Sequence, residues 1–367
     1  MPFSAKAVAV VAGLILFAAS HGAVSAEASR ADDAARYLAG MQPSAESPLM
    51  KFTRDPGWQQ HARSFDAAWK KLDREQISRI RAWSAENLKE QRETLFYTFS
   101  GPDFLYANAF FPKASTYVLA GLEPVGRIPE ITGRTAYSLP SLRASLNTAL
   151  NLSFFITAHM RQQLQQGELS GTLPILYVFI ARSGNTIKDV TLVNLDKDGI
   201  VTPVDQVRPR QAVDGVKIVF ARGDDAPQTL YYFRTDLSDS GVKNSGFLKF
   251  CEKLGTGDSL LKSASYLLHR QSFSRTRQFL IEHSRSIVQD DSGIPMSAFK
   301  PDEWQLNLFG KYLGPIGTFP EHNQPKLRQL YQQSKPGKLD FGIGYRWRPN
   351  ESNLLVAVKK PAKAASQ

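Results

Sequence analysis

Cysteine is almost absent from this sequence, since Cys251 is the single thiol in 367 residues. A single thiol excludes an internal disulfide. The region around residues 20–30 has no cysteine either, which excludes the acylated cysteine of a bacterial lipoprotein, so we expect a chain without a lipid anchor. Cys251 lies in the apolar stretch 247–254, where we expect a small buried side chain rather than a nucleophile.

A membrane-spanning apolar run is also missing. The apolar run Ala7–Ala19 covers about 13 residues, whereas a spanning helix needs about 20. The run follows Lys6 and leads into small residues that end at Ala26, which is the pattern of a cleavable signal peptide. We therefore predict a signal peptide over residues 1–26 and a periplasmic or secreted bacterial product without a transmembrane segment.

Basic residues exceed acidic ones, with 45 Lys and Arg against 34 Asp and Glu and a net charge of +11. A basic surface favours anionic neighbours. Outside the cytoplasm these are acidic or phosphorylated envelope polymers and lipid head groups rather than nucleic acid, and a protein partner is the other possibility. Part of the charge lies in a lysine-rich tail, residues 359–367, which we expect to be disordered.

Familiar catalytic motifs are missing. The sequence has no G-x-S-x-G elbow, H-E-x-x-H pair, P-loop or dinucleotide fingerprint. We therefore expect a protein that is not an enzyme and that binds an anionic envelope component or a partner protein. The alternative is an envelope hydrolase whose site comes from distant segments, with Ser100, Asp103 and His269 as candidate catalytic residues. Asp103 has a simpler interpretation as the cap of a short helix.

One segment resembles a calcium-binding loop. Its side-chain and carbonyl oxygens have the spacing of EF-hand ligands, with Gly199 at the sharp turn. The candidate ligands are Asn194, Asp196, Asp198, Ile200 and Asp205. The flanking residues are strand-like, and an Asp-Gly pair between two strands is also typical of a hairpin turn without an ion. Calcium is thus a possible cofactor of a structural module, and no other cofactor is predicted.

A second group of candidates is basic and is interleaved with phenylalanines. Arg270, Arg275, Arg277 and Arg285 occur within 16 residues. Guanidinium groups at this density suit phosphate or carboxylate recognition. The alternative is a solvated helix face that forms ion pairs with nearby carboxylates.

Apolar periodicity predicts an α+β protein with a mixed or mainly antiparallel sheet and several packed helices. A long N-terminal amphipathic helix, or a pair of them, is expected between Gln59 and about Lys89. Further helices are expected over 138–166, 245–254 and 259–283, the last with a break near Ser272.

Strands are predicted from alternation and β-branched residues. They cover 93–100, 116–122, a doubly buried strand at 173–181, a meander over 186–234, and a closing hairpin of 339–347 with 353–359. We divide the exported chain into regions 27–168 and 169–358, which one domain could combine.

Overall fold

The computed structural model describes residues 27, 29–152, 169–206 and 212–361. The predicted signal peptide, the last six residues of the basic tail and the second half of the predicted helix 138–166 lie outside the described residues.

The described strands form one mixed sheet of ten strands, in the order β4-β3-β5-β6-β2-β1-β7-β8-β10-β9. The strands are β1 (Thr94–Tyr97), β2 (Thr116–Gly121), β3 (Thr186–Leu195), β4 (Val201–Pro203), β5 (Val213–Ala221), β6 (Gln228–Arg234), β7 (Gly257–Leu261), β8 (Ser284–Gln289), β9 (Trp304–Gly310) and β10 (Asn353–Lys359).

Helices cover both faces of this sheet. They are α1 (29–38), α2 (Pro56–Leu72), α3 (Ser78–Asn87), α4 (Phe104–Phe110), α5 (Leu139–Leu152), α6 (Leu173–Arg182), α7 (Asp239–Ser245), α8 (Phe247–Lys253), α9 (Ser274–His283) and α10 (Pro325–Gln333). A π-helical turn over Asp73–Ile77 joins α2 to α3. None of these described helices has the length and apolarity needed to cross a bilayer.

The centre of the sheet is parallel and its margins are antiparallel. β6, β2, β1, β7 and β8 are parallel neighbours, while the meander at one side and β10 with β9 at the other are antiparallel. A parallel pair needs a crossover. Helix α4 crosses between β1 and β2, and α9 crosses between β7 and β8.

Two hydrophobic cores lie on opposite faces of the sheet. Leu95 and Tyr97 of β1 belong to one core and Phe96 to the other, because successive side chains of a strand alternate in direction. The first core contains α4, and the second contains Phe279 and Leu280 of α9. The chain therefore leaves β1 toward one face and β7 toward the other.

The structure confirms the predicted mixed sheet with packed helices, including the antiparallel meander between β3 and β6. It places helices on both faces of a parallel centre, which the grouping of elements along the chain did not predict. Strands β1 and β2, from the predicted region 27–168, lie between strands of region 169–358.

The predicted strand at 173–181 is wrong, because these residues form helix α6. Every residue from Leu173 to Ala181 is buried. A helix that is apolar on all sides is a core helix, and an apolar run this short does not distinguish it from a buried strand. Pro174 in its first turn is the helix signal that the apolar run concealed.

Two predictions in the C-terminal third are also wrong. The predicted helix 259–283 contains strand β7 at its start, and only α9 is helical at its end. The segment 339–347 is not a strand, although Phe341 and Ile343 are buried as its alternation predicts. Gly344 has a φ of 71°, which breaks the extended conformation, and β10 pairs with β8 and β9 instead.

Candidate functional site

A cleft of about 500 Å³ opens at the carboxyl ends of β1 and β7. These neighbouring strands lead to crossovers on opposite faces of the sheet, so their ends diverge and leave a crevice. Ligands of open α/β sheets bind at this topological position. The polar residues of its lining include Thr98, Ser100, Asp103, Glu123, Asp236 and Lys262, and its aromatic residues include Phe99, Phe273, Phe319 and Tyr345.

The cleft contains a buried ion pair. Lys262 Nζ lies 2.9 Å from Asp103 Oδ2, and the two side chains are 1% and 4% exposed. Lys262 directly follows β7, while Asp103 caps α4 by accepting from the amide of Tyr106. The two crossovers thus bring together residues that are far apart in the sequence. Lys262 Nζ also lies 3.7 Å from the centre of the Tyr106 ring, a cation–π contact.

Tyr97 completes this group, because its hydroxyl donates to the same Asp103 oxygen at 2.8 Å. Burial, with the Asp103 charge as the next cause, raises the pKa of Tyr97 well above its usual value. The phenol therefore stays protonated and remains a donor. Three titratable side chains meet at one carboxylate oxygen on the wall of a cleft.

The loop after β7 forms another part of the wall. Ser263 and Ser265 line the cleft. The Ser263 amide donates to Asp290 Oδ2 at 3.1 Å. Asp290 lies just past the end of β8, where burial, followed by the charge of Asp291, raises the pKa of its carboxyl to about 7. Burial also raises the pKa of Asp291.

The three candidate catalytic residues are not all in one place. Ser100 and Asp103 line the cleft, and His269 is not among the residues that line it. The Ser100 hydroxyl donates to the carbonyl oxygens of Gly101 and Ala120. Lys262, rather than a histidine, is the cation beside Asp103.

His269 lies outside the cleft lining in an aromatic cluster. Its ring centre is 5.2 Å from those of Tyr266 and His322. Burial lowers the pKa of His269 to about 4, so the ring is neutral at physiological pH.

The four candidate arginines do not converge on one surface. Arg277 donates to the carbonyl oxygens of Leu268 and Arg270, which fixes the preceding loop. Arg275 is in the first turn of α9, whereas Arg285 follows its end in β8. Ten helical residues span about 15 Å, so these two guanidinium groups belong to different ends of the sheet.

The loop that resembles a calcium site forms the turn between β3 and β4. Asp196 Oδ1 accepts from the amides of Asp198 and Ile200, and the Ile200 carbonyl accepts from the Asp196 amide. The Asp198 carboxylate forms ion pairs with Lys197 at 2.7 Å and with Lys249 at 3.0 Å. In the ranges that the structure covers, no three His, Cys, Asp or Glu side chains are grouped as a metal site. The candidates Asn194 and Asp205 flank this turn, the first buried and the second exposed.

Lys262 is the site residue that sequence analysis missed. Its signal was a lysine directly after the apolar pair Leu260-Leu261, and it was hidden because the segment was predicted to be helical.

Comparison with protein-family models, curated proteins and solved structures found no match.

Proposed function

We propose that this chain is an exported bacterial cell-envelope protein that binds a small, uncharged, partly aromatic or apolar molecule in the cleft between β1 and β7. The buried pair of Lys262 and Asp103 carries the proposal. A buried ion pair is weak as a source of stability, because desolvating two charges offsets most of their attraction. Its position on the cleft wall favours a role in recognising a polar group of the ligand.

The charge of the cleft favours an uncharged ligand over an anionic one. Among the described residues that line it, Asp103, Glu123 and Asp236 carry carboxylates, and Lys262 carries the one ammonium group. The lining is thus acidic in a chain whose net charge is +11. An anion would therefore meet repulsion in the cleft.

The aromatic side chains favour a ligand with a flat apolar part. The ring centres of Phe99 and Phe273 are 6.1 Å apart, and those of Phe319 and Tyr345 are 5.4 Å apart. Aromatic walls with a few placed polar groups are typical of small-molecule sites. The ligand's apolar part would pack on these rings while its polar group faces Lys262 and Asp103.

Two dyes that share one ring system and differ in charge test the proposal. Phenylnaphthylamine is uncharged, and anilinonaphthalene sulfonate carries the same rings with a sulfonate. We expect saturable fluorescence enhancement with the uncharged dye and weaker binding of the anionic one, with the difference reduced by salt. Preferential binding of the sulfonate would contradict the proposal.

The binding site of the dye is located with a matched pair of variants. Phe319→Ala removes a ring from the cleft, whereas Tyr137→Ala removes a ring that is 84% exposed and outside the cleft lining. We expect only Phe319→Ala to weaken binding of the uncharged dye. Equal effects of the two variants would mean that the dye binds elsewhere.

An enzyme is the second candidate function, and the contact of Lys262 and Tyr97 with one Asp103 oxygen favours it. Titratable groups coupled in a cleft are the arrangement from which acid–base catalysts are built. Incubation with an extract of bacterial envelope metabolites, followed by mass spectrometry, distinguishes the two. Binding alone leaves every mass unchanged, whereas catalysis produces a new mass that Lys262→Met abolishes.

A further inference from the structure

We infer that Asp290, Asp291 and Ser292 are positioning residues, which together with Tyr345 on the cleft side hold the loop Ser263–Tyr266 in a left-handed conformation and so shape one wall of the cleft. The inference rests on the proposed function in one respect, because it gives that wall a role in binding. The order of the loop itself can be tested without any ligand.

The loop has an unfavourable backbone conformation. Ser263, Ser265 and Tyr266 each have a φ of 53°. Of the residues that the structure describes, they are the only ones other than glycine with a positive φ. A side chain disfavours this region because its Cβ crowds the following carbonyl oxygen. Three such residues in a loop of four persist only where surrounding contacts fix them.

The segment after β8 supplies those contacts to the first half of the loop. The Ser263 amide donates to Asp290 Oδ2 at 3.1 Å, and the Ala264 amide donates to Ser292 Oγ at 2.8 Å. Ser292 is fully buried, and its hydroxyl in turn donates to Asp290. β7 and β8 are parallel neighbours, so the segments that follow them leave the sheet side by side.

Two tyrosine hydroxyls, of Tyr266 and Tyr345, hold the loop from opposite directions. The Tyr266 hydroxyl donates to Asp291 Oδ2 at 2.6 Å. On the cleft side, the Tyr345 hydroxyl donates to the Ser263 carbonyl at 3.0 Å and shares a hydrogen bond of 2.8 Å with the Ser265 hydroxyl. The loop is thus held between Tyr345 and the segment after β8.

Of the residues in this hydrogen-bonded arrangement, only those of the loop and Tyr345 line the cleft. Ser263, Ser265 and Tyr345 line it, whereas Asp290 and Ser292 are not among its lining residues. Any effect of the latter two on binding is therefore indirect, through the loop or through the segment Gly344–Tyr345 that packs on Asp290, which is why we describe them as positioning residues.

Hydrogen exchange resolved to single amides tests the inference in the full exported chain. Ser292→Ala should speed exchange of the Ala264 amide, and of the Ser263 amide beside it, by about tenfold, the equilibrium equivalent of one hydrogen bond. The matched control is Ser286→Ala, which removes another buried serine hydrogen bond in β8, to Asp258, away from the loop. An unchanged loop in Ser292→Ala, or the same change in both variants, would overturn the inference.

Tyr345→Phe is the second variant, for use if Ser292→Ala folds poorly. It removes one hydroxyl and keeps the aromatic ring. We expect faster exchange in the loop and weaker binding of phenylnaphthylamine, with a melting temperature no lower than that of Ser286→Ala. Normal exchange and normal dye binding in this variant would contradict the inference.

The dye separates this inference from the proposed function. If phenylnaphthylamine fails to bind the unmodified chain, the proposed function fails, and the exchange rates still decide whether the loop is held by these residues. If the dye binds and loop exchange is the same in Ser292→Ala as in the unmodified chain, the proposed function stands and the inference fails.

Discussion

Lys262 and Asp103 form an ion pair 2.9 Å long between two side chains that are almost completely buried. One comes from the end of β7 and the other from the cap of α4, so the pair links the two crossovers of the sheet. Because both charges are buried, we expect the loss of either one to be felt strongly by the other.

Removing either partner should destabilise the protein by about 3–5 kcal/mol, because the remaining charge stays buried without the opposite charge of its ion pair. Asp103→Asn and Lys262→Met are the single variants. The double variant removes both buried charges, so its loss of stability should be clearly smaller than the sum of the two single losses. Urea denaturation of all four proteins measures this coupling.

Glu351→Gln is the control for the ion-pair cycle. It breaks the ion pair of Glu351 with Arg348, whose side chains are 40% and 63% exposed. A solvated pair contributes about 1 kcal/mol or less. Additive losses in the Lys262–Asp103 cycle would refute the coupling.

Asp290 should make the native state less stable as the pH rises toward neutral. Burial raises the pKa of its carboxyl from 3.8 to about 7. Between these values the folded chain keeps a proton that the unfolded chain has released, so this contribution to stability is lost as the pH rises through about 7. The charged and titratable neighbours that share its surroundings are Asp291, Tyr97, Tyr266, Tyr345 and Arg346.

The Asp290 contribution is measured as a difference. Burial lowers the pKa values of His61 and His269 to about 4, so on acidification these histidines gain protons in the unfolded chain before they do in the folded chain. Their contribution to the free energy of unfolding is therefore lost as the pH falls. Urea denaturation of the unmodified chain and of Asp290→Asn between about pH 5 and 8 cancels these terms. The stability of the unmodified chain relative to the variant should fall across this range, and a constant difference would contradict the prediction.

The sequence predicted the strands whose environment is simple. The meander from β3 to β6 alternates clearly, which predicts its strands. The part of the chain between β6 and β10 was harder to predict, because β7 and β8 are largely buried on both faces and β7 pairs with the distant strand β1. Helix α6 was missed for the related reason that a fully buried helix has no polar face to give it a period.

Only one wall of the candidate site was predictable from the sequence. Ser100 and Asp103 follow β1 among aromatic residues, which made them candidates, and both line the cleft. Their partner Lys262 depends on β7 lying beside β1, a pairing of residues about 160 positions apart that no local pattern encodes. Tyr345 reaches the cleft from a segment without regular structure, which strand alternation did not predict.

Calcium should leave the melting temperature unchanged. Lys253 Nζ donates to the carbonyl oxygens of Asp198 and Gly199, and Lys249 Nζ lies 3.0 Å from the Asp198 carboxylate. Lys249 thus occupies one candidate ligand, the Asp198 carboxylate, and Lys253 places a second positive charge against the turn. Thermal melts with millimolar calcium and with a chelator check this, since an ion bound only by the folded state raises the midpoint.

A variant with Lys249 and Lys253 of α8 both replaced by alanine tests the reason for this expectation. A calcium-dependent midpoint in that variant alone would show that Lys249 and Lys253 exclude the ion. A shift in the unmodified chain would instead support the calcium-loop hypothesis drawn from the sequence.

Gly344 should tolerate no side chain, because it has a φ of 71° and its Cβ position overlaps Asp290 Oδ2. Gly344→Ala therefore combines a steric conflict with a strained backbone, and we expect a loss of about 3 kcal/mol or more in urea denaturation. Gly223 has a φ of 54° and open space around its Cβ position, so Gly223→Ala should lose only about 1 kcal/mol from backbone strain. Gly317→Ala, with open space and no positive φ, should be neutral or slightly stabilising. Equal losses in the first two variants would mean that backbone conformation, rather than contact with Asp290, is what requires glycine at position 344.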